Sequence, residues 1–204
     1  MRGLALALLA TAGLAACLGG GPPRTHYVLQ DRAPIDAAST GPTGRQSLVV
    51  AGSAVDVFYD AESLVFSRQS GQRAYYQFAS WTDRPARLVA RLAERRLQTR
   101  GRFASVTSLT AGVRADLLLN IIVMEFYHDV AAKPPVVHVA LIGELIDWRS
   151  RSLLAQHTFT LSSSVQTDNA QGAVDAFDHA VTEALDALVP WVETEAAKAT
   201  AASG

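Results

Sequence analysis

The most informative run in the sequence is Ala115-Asp-Leu-Leu-Leu-Asn-Ile-Ile-Val-Met-Glu-Phe-Tyr127. Successive side chains of an extended strand point to opposite faces of the sheet. Both alternating sets are apolar in this run: Leu117, Leu119, Ile121 and Val123 in one, and Leu118, Ile122, Met124 and Phe126 in the other. That composition is typical of a strand whose two faces are both covered. We therefore predict a strand in the middle of a sheet, buried on both faces.

Shorter β-rich runs surround this strand in the chain. Before it come residues 27–29, 48–50, 55–59, 64–66, 74–78 and 103–106. After it come a strand over 136–148, a tight turn over 149–152, and a strand over 153–165 that alternates between an apolar and a polar face. The turn predicts that the last two strands form an antiparallel hairpin, and Gln69-Ser-Gly-Gln72 predicts a hairpin between 64–66 and 74–78.

Two segments have the period of an amphipathic helix. The first begins at Pro85, a residue suited to the first helical turn, and ends at Gly101. The second covers about residues 170–189 and should stop or bend at Pro190. Each helix has one apolar stripe, which predicts that both helices pack on the same sheet.

Together these elements predict a single α+β domain over residues 27–198. It has a mixed or antiparallel β-sheet with two amphipathic helices packed on it, and a frayed tail follows over 199–204. The chain has 204 residues, of which 49% are hydrophobic and 18% charged, and its mean hydropathy is +0.14. These values fit a globular domain with a sizeable core and exclude a disordered chain.

The head of the chain has the features of a targeting signal. Residues 1–16 contain one charged side chain and an apolar run that is too short to span a membrane. Leu14-Ala-Ala-Cys17 resembles a bacterial lipobox, and the sequence has one cysteine. We predict a lipoprotein signal peptide over 1–16, lipid attachment at Cys17 and a tether over 17–26. Leu18, by resemblance to the sorting habits of such lipoproteins, indicates the outer membrane. The alternative is an ordinary signal peptide with an incidental cysteine.

The rest of the sequence offers little catalytic chemistry. It lacks the GxSxG, GxxxxGK[ST], GxGxxG and HExxH patterns. The five histidines share no spacing suited to a metal site, and His157, on the apolar face of its strand, is predicted to be a core residue. A net charge of −1 argues against nucleic-acid binding. We expect no enzymatic activity, no metal and no cofactor, although a hydrolase site assembled from His128 and Asp129 stays open.

Two features are candidates for a partner interface. The first is the aromatic cluster Tyr75, Tyr76, Phe78 and Trp81, of which Tyr75, Tyr76 and Trp81 are the candidate interface residues and for which core packing is the alternative. The second is the stripe Arg87, Arg91 and Arg95 on the first helix, whereas the second helix has an acidic polar face. This split would allow docking to an acidic partner or to anionic head groups, or self-association into a homo-oligomer. The alternative is two solvated helix faces that pair with each other.

Four segments of the chain, taken in order, carry a resemblance to a known protein family. They are Tyr27-Val-Leu29, Leu64-Val-Phe-Ser-Arg68, Tyr75-Tyr76 through Trp81-Thr-Asp-Arg-Pro85, and Ala115-Asp-Leu-Leu-Leu-Asn120. With the lipobox, they resemble the ABC-type transport auxiliary lipoproteins. The chain departs from that family at Val57-Phe-Tyr-Asp-Ala-Glu62, where members usually have a proline-led stretch.

This resemblance implies a non-enzymatic, periplasm-facing subunit that helps to move lipids or other hydrophobic substrates between the inner and outer membranes. It also implies partners, namely an MCE-domain protein and an ABC transporter or other inner-membrane subunit. The alternative function is a stand-alone envelope lipoprotein that binds lipid or peptidoglycan.

Overall fold

The computed structural model describes residues 23–34 and 43–202. The predicted signal peptide, the lipid-attachment site Cys17 and tether residues 17–22 lie outside the described residues. Within the described ranges, no helix is both long enough and apolar enough to cross a membrane. The strands and helices, in chain order, are β1 (Thr25–Tyr27), β2 (Ser47–Ala54), β3 (Ser63–Ser67), β4 (Ala74–Trp81), α1 (Pro85–Arg100), β5 (Ser105–Ser108), β6 (Leu117–Asp129), β7 (Val136–Asp147), β8 (Ser152–Ser164) and α2 (Ala170–Ala202).

In the described part of the chain, β6 is the centre of one eight-stranded sheet. Along one edge β6 pairs antiparallel with β7, and β8 continues the sheet beyond β7. Along its other edge β6 carries two branches, because β2 pairs parallel with its first half and β3 pairs parallel with its end at His128 and Asp129. β5 extends the first branch, and β4 and then β1 extend the second. The mixed sheet and the mid-sheet position of residues 115–127 are confirmed.

Both helices pack on one face of the sheet. α1 contacts β2, β5 and β6, α2 contacts β6, β7 and β8, and the two helices touch each other. Leu119, Ile121 and Val123 of β6 are fully buried beneath the helices, whereas Asn120 and Ile122 on the opposite face are half-buried. Leu118 on that opposite face is buried as well, so the prediction of burial on both faces holds at that position but not at Asn120 and Ile122, because the helices cover one face alone.

Local signals explain α1 but fail at residues 55–59. Pro85 opens α1, and Gly101 ends it in the left-handed conformation (φ 62°), which glycine adopts without strain. The sequence predicts a strand over residues 55–59, but these residues form a turn in which the Asp56 carboxylate accepts a hydrogen bond from the Phe58 N–H. An aspartate that bonds the backbone two residues ahead stabilises a turn at the expense of a strand.

α2 does not stop at Pro190, so of the two predicted outcomes, a stop or a bend, the stop is wrong. The helix continues to Ala202, so residues 199–202 of the predicted frayed tail are helical. Pro190 lies on the exposed side of the helix, where water can satisfy the carbonyl that loses its N–H partner. Val189, Val192 and Ala196 remain buried against the sheet on both sides of it. Their burial offsets the loss of one hydrogen bond.

Candidate functional site

A groove of about 820 Å³ runs along the outer part of β4. β1 pairs with β4 over Ala79–Trp81 alone, so residues 75–78 form a sheet edge with no strand beside it in the described ranges. β3 flanks β4 on its other side. The aromatic residues of the lining are Tyr27, Phe66, Tyr75, Tyr76 and Phe78. We call this surface the aromatic groove.

Two of these aromatic side chains are largely open to solvent. Tyr75 is 43% exposed and Phe78 is 42% exposed, although both are large and mainly apolar. Tyr75 is partly supported by Phe58, whose ring centre lies 5.1 Å from its own. Exposed aromatic side chains that share one concave surface are a common mark of a binding site, whereas isolated exposed apolar residues are ordinary.

Tyr76 lines the inner side of the aromatic groove, and its hydroxyl forms a hydrogen bond with the buried His128. The Tyr76 hydroxyl lies 2.8 Å from Nδ1 of His128, and the two rings are nearly parallel. His128 is fully buried, and its Nε2 has no hydrogen-bond partner among the described residues. Burial lowers the pKa of His128 below its ordinary value of 6.5 and raises the pKa of Tyr76 to about 12. Both side chains are therefore neutral at pH 7.

One cation and one anion complete the lining of the aromatic groove. Arg68 lies with its guanidinium carbon 5.1 Å from the centre of the Phe66 ring, and Asp168 belongs to the loop that precedes α2. Neither side chain forms an ion pair with another residue in the described part of the chain. The charges of both act on the Tyr76 hydroxyl, because Asp168 raises its pKa and Arg68 lowers it. The groove thus presents two unpaired, opposite charges near one hydroxyl.

The structure separates the members of the predicted aromatic cluster. Tyr75 and Tyr76 lie in the aromatic groove, but Trp81 is 1% exposed and packs edge-on against Phe126 and Phe177 in the core. Trp81 therefore cannot contact a partner, and its inclusion in the candidate interface is corrected. β4 explains the separation, since it runs from an open sheet edge at Tyr75 into the helix-covered core at Trp81.

The predicted arginine stripe lies on the exposed side of α1. Arg87 and Arg91 both approach the carboxylate of Asp83, at 3.9 Å and 2.8 Å, and Arg95 has no ion pair within the described ranges. Whether the stripe binds a partner stays a prediction. The contacts between the basic and acidic helices are made instead by Arg96, which pairs with Asp186 of α2, and by Arg100, which pairs with Glu193.

Arg96 also holds the segment that follows β1. We call residues 29–33 the strap, because they cross from β1 to α2. Arg96 pairs with Asp31 of the strap and donates to the Thr182 carbonyl of α2. The Gln30 N–H donates to the buried Asp178 carboxylate at 2.9 Å. Sequence reasoning missed Arg96, although its position next to Leu97, at the border of the buried stripe, distinguishes it from the exposed arginines.

His128 and Asp129, the two residues proposed for a hydrolase site, are not arranged for catalysis on one substrate. His128 is inaccessible to a substrate, and Asp129 is the next residue of the same strand, so its side chain leaves from the opposite face. His157, predicted as a core histidine, is exposed at the rim of α2, where its ring lies 6.2 Å from that of Trp191. No group of three metal-ligating side chains lies together among residues 23–34 and 43–202.

A second depression of about 540 Å³ lies at the other end of β6, lined by Ser47, Asp116, Trp148 and Arg149. Two of its three charged residues pair with each other, because Arg149 lies 2.5 Å from Asp116, and the Ser47 hydroxyl donates to the same carboxylate at 2.8 Å. The Ser47 N–H also donates to this carboxylate, at 2.9 Å, and this hydrogen bond, with those from the Ser47 hydroxyl and Arg149, holds the pKa of Asp116 below its usual range. Because Ser47, Asp116 and Arg149 already satisfy one another, this depression is a weaker candidate than the aromatic groove.

Comparisons with known proteins bear on both the fold and the function. The sequence model of the protein family described as ABC-type transport auxiliary lipoprotein component matches residues 27–189. No curated protein matches the chain. A protein of Xanthomonas campestris has a similar structure, with a TM-score of 0.71 and 20% identity, over 88% of this chain and 98% of that one. A second solved protein, described as uncharacterized, has a TM-score of 0.64 and 14% identity, over 84% and 99%. A PelC dodecamer from Paraburkholderia phytofirmans is less similar, with a TM-score of 0.43 and 16% identity, over 72% and 92%.

Proposed function

The chain belongs to the ABC-type transport auxiliary lipoprotein family, and from that premise we propose that it is a non-enzymatic accessory subunit of an MCE/ABC-type transport system. In this role it faces the periplasm from the outer membrane, held by an acylated Cys17. It helps to move lipids or other hydrophobic substrates between the two membranes. The family match over residues 27–189 is the observation that carries the proposal.

Two features of the chain support this role. The lipobox-like Leu14-Ala-Ala-Cys17 provides an anchor without a membrane-spanning segment, since several acyl chains on one cysteine bind a bilayer stably. The aromatic groove provides an exposed apolar surface of the kind that a hydrophobic substrate needs. The buried position of His128 removes the catalytic candidate that competed with this function.

The proposed partners are an MCE-domain protein and an ABC transporter or other inner-membrane subunit, with the arginine stripe as the docking surface. The test is affinity purification of the full-length lipoprotein from detergent-solubilised envelope, followed by mass spectrometry. We expect an MCE-domain protein in the eluate. Reversal of Arg87, Arg91 and Arg95 to Glu should leave the fold intact and weaken its capture. The matched control reverses three exposed arginines outside α1, namely Arg45, Arg102 and Arg114.

Two outcomes would count against the proposal in different ways. If stringent purification repeatedly recovers no MCE-domain protein, the partner claim fails. If both triple variants capture the partner as well as the wild type does, the stripe is a solvated helix face and the docking surface lies elsewhere.

The anchor has a separate test. Cys17→Ser removes the thiol to which lipid is attached, so the protein should leave the outer-membrane fraction of a sucrose gradient. Leu18→Asp keeps the cysteine and changes the residue that we take as the sorting signal, so this variant should move to the inner-membrane fraction. An unchanged distribution of Cys17→Ser would refute the lipid anchor.

A stand-alone lipid-binding lipoprotein is the second candidate, and the aromatic groove is the observation that favours it. The two functions differ in whether a partner is required. Retention of stoichiometric lipid by the purified protein, together with failure to capture any MCE-domain protein, would favour the second function.

Self-association is a further part of the proposal, and β8 is the surface that supports it. In the described part of the chain β8 pairs with β7 alone. Its 13 residues include no Asp, Glu, Lys, Arg or Pro, the residues with which proteins commonly protect a free edge. If copies join at this edge, Thr158→Lys with Thr160→Lys should shift the sedimentation coefficient of the purified protein toward the monomer. An unchanged coefficient would exclude this edge as the contact.

A further inference from the structure

We propose that the aromatic groove binds one phospholipid molecule, with an acyl chain along Tyr75 and Phe78 and a zwitterionic head group between Arg68 and Asp168. This inference deepens the proposed transport function, and it rests on that function for its physiological role. The binding itself follows from the shape, charge and location of the groove.

The lining of the groove has an apolar part and a charged part, as the binding of an amphiphilic molecule requires. Five aromatic side chains form an apolar wall, and Tyr75 and Phe78 leave much of that wall open to solvent. A volume of about 820 Å³ lies within the range of sites for small organic ligands, roughly 300–1,000 Å³. Burial of an acyl chain there removes apolar surface from water on both the protein and the lipid, which is the main driving force for such binding.

The charges of the groove fit a head group that carries both signs. Arg68 and Asp168 are the charged residues of its lining, and neither has an ion-pair partner within residues 23–34 and 43–202. A guanidinium suits a phosphate, and a carboxylate suits an ammonium group. Both residues belong to the lining of this one groove, and the charge of each acts on the Tyr76 hydroxyl. Phosphatidylethanolamine has this combination of groups.

The groove lies close in sequence to Cys17, the residue that we propose is anchored in the membrane. Thr25 belongs to the groove lining, and Cys17 lies eight positions before it. A fully extended chain of that length spans at most about 29 Å. In the acylated protein, Thr25 is therefore held within a distance of the membrane surface that does not exceed the thickness of a bilayer's hydrocarbon core, roughly 30 Å. An extended peptide added to the free edge of residues 75–78 is the competing occupant, and the test distinguishes it.

The experiment uses the mature, acylated, full-length protein in vesicles of phosphatidylethanolamine and phosphatidylglycerol. A small fraction of the phosphatidylethanolamine carries a photoactivatable diazirine on one acyl chain. After irradiation and trypsin digestion, we expect lipid adducts on the peptides 25–32 and 74–87, which carry four of the five groove aromatics. Peptide 103–114 is the internal control, because Leu109 is 47% exposed and Val113 is 51% exposed outside the groove.

Variants separate binding from mere nearness to the bilayer. Phe78→Ser combined with Arg68→Glu should lower the adduct yield at least fivefold, whereas Leu109→Ser should leave it unchanged. Asp168→Lys should reduce labelling by phosphatidylethanolamine and increase labelling by an otherwise identical phosphatidylglycerol probe. Urea unfolding of each variant at the same pH shows whether it is folded, and Phe78→Ala alone replaces any variant that is not.

Each outcome decides the matter. Equal labelling of peptide 103–114 and the groove peptides, or labelling that the double variant does not lower, overturns the proposal. Absence of adducts together with protection of the groove by an extended peptide identifies the peptide as the occupant. The failure of partner capture does not affect this test, so the proposed function and the lipid site can fail separately.

Discussion

Arg96→Gln should destabilise the fold by about 2–3 kcal/mol, far more than any exposed arginine of the same helix. The Arg96 side chain is 15% exposed and pairs with Asp31, which is equally buried, and with Asp186, which is 60% exposed. It also donates to the Thr182 carbonyl. One guanidinium thus joins the strap, α1 and α2.

The magnitude follows from what the truncation leaves behind. Asp186 is mostly hydrated already, so the loss of its pair costs about 1 kcal/mol or less. Asp31 remains buried and loses the cation, and removal of one partner from a buried pair costs about 3–5 kcal/mol. Asp31 keeps its hydrogen bonds from the Ala33 N–H and the Thr182 hydroxyl, which reduces that cost. The sum remains near 2–3 kcal/mol because the strap can also relax toward water.

Arg95→Gln is the matched control, since Arg95 is the preceding residue of α1 and has no ion pair in the described ranges. Its replacement should change the free energy of unfolding by less than about 0.5 kcal/mol. Urea unfolding followed by circular dichroism measures both variants, and an unchanged m-value shows that the denatured states are comparable. Equal destabilisation by the two substitutions would refute the assignment of Arg96 to the strap.

The pH dependence provides a second measurement of the same pair. Burial alone would raise the pKa of Asp31, but the hydrogen bonds from Arg96 and the Ala33 N–H lower it by more, so the net pKa lies below 3.8. A lowered carboxyl pKa contributes stability that is complete above the unfolded value and is lost as the pH falls through the folded value. The stability difference between wild type and Arg96→Gln should therefore shrink below about pH 3.8. A difference that stays constant down to pH 2 would exclude Asp31 as the partner.

Three further outcomes can be measured on the purified protein. Tyr76→Phe should cost about 1–2 kcal/mol in urea unfolding, because the buried His128 ring loses its hydrogen bond, and a neutral result would show that water replaces the hydroxyl. The wild type should lose stability as the pH falls below 6.5, by at most about 1.4 kcal/mol per pH unit, because burial lowers the pKa of His128 and the unfolded state binds the proton. His128→Phe should lack this slope, and a slope that persists assigns it to another group. Gly52→Ala should cost about 1–3 kcal/mol because its Cβ would lie 2.1 Å from the Ala86 carbonyl oxygen, whereas Gly71→Ala, in open space at φ 75°, should cost about 1 kcal/mol of backbone strain. Equal costs would show that α1 shifts freely over β2.

The central strand and the first helix could be predicted because their signals are local. Residues 115–127 are apolar at nearly every position, and a strand of that composition is typical of the interior of a sheet, where its side chains are buried. Pro85 and Gly101 define the ends of α1 through their own backbone preferences. Neither inference needs knowledge of a distant residue.

The environment along an element could not be predicted from its pattern. Alternation in β8 places His157 on the same side as Phe159, but it does not show how far α2 extends over that side. Phe159 is buried, while His157, two residues earlier, lies at the rim beside Trp191. His128 is the buried histidine because β3 and β4 close over the end of β6. The depth of a side chain depends on the packing of elements that are distant in sequence.

The aromatic groove and the strap depend on each other because β1 is held weakly. β1 pairs with β4 through three residues, too few to keep Tyr27 in the wall of the groove without help from the chain that follows. The strap supplies that help through Arg96 and through the Arg32 N–H, which donates to the Thr182 hydroxyl at 2.8 Å. Arg96→Gln should therefore speed hydrogen exchange in residues 25–32 and lower the yield of lipid adducts at the groove, in a buffer where the variant is fully folded. Arg95→Gln should change neither. If exchange in residues 25–32 stays at the wild-type rate while global stability falls, the strap stabilises the helix pair alone, and β1 holds the groove wall by itself.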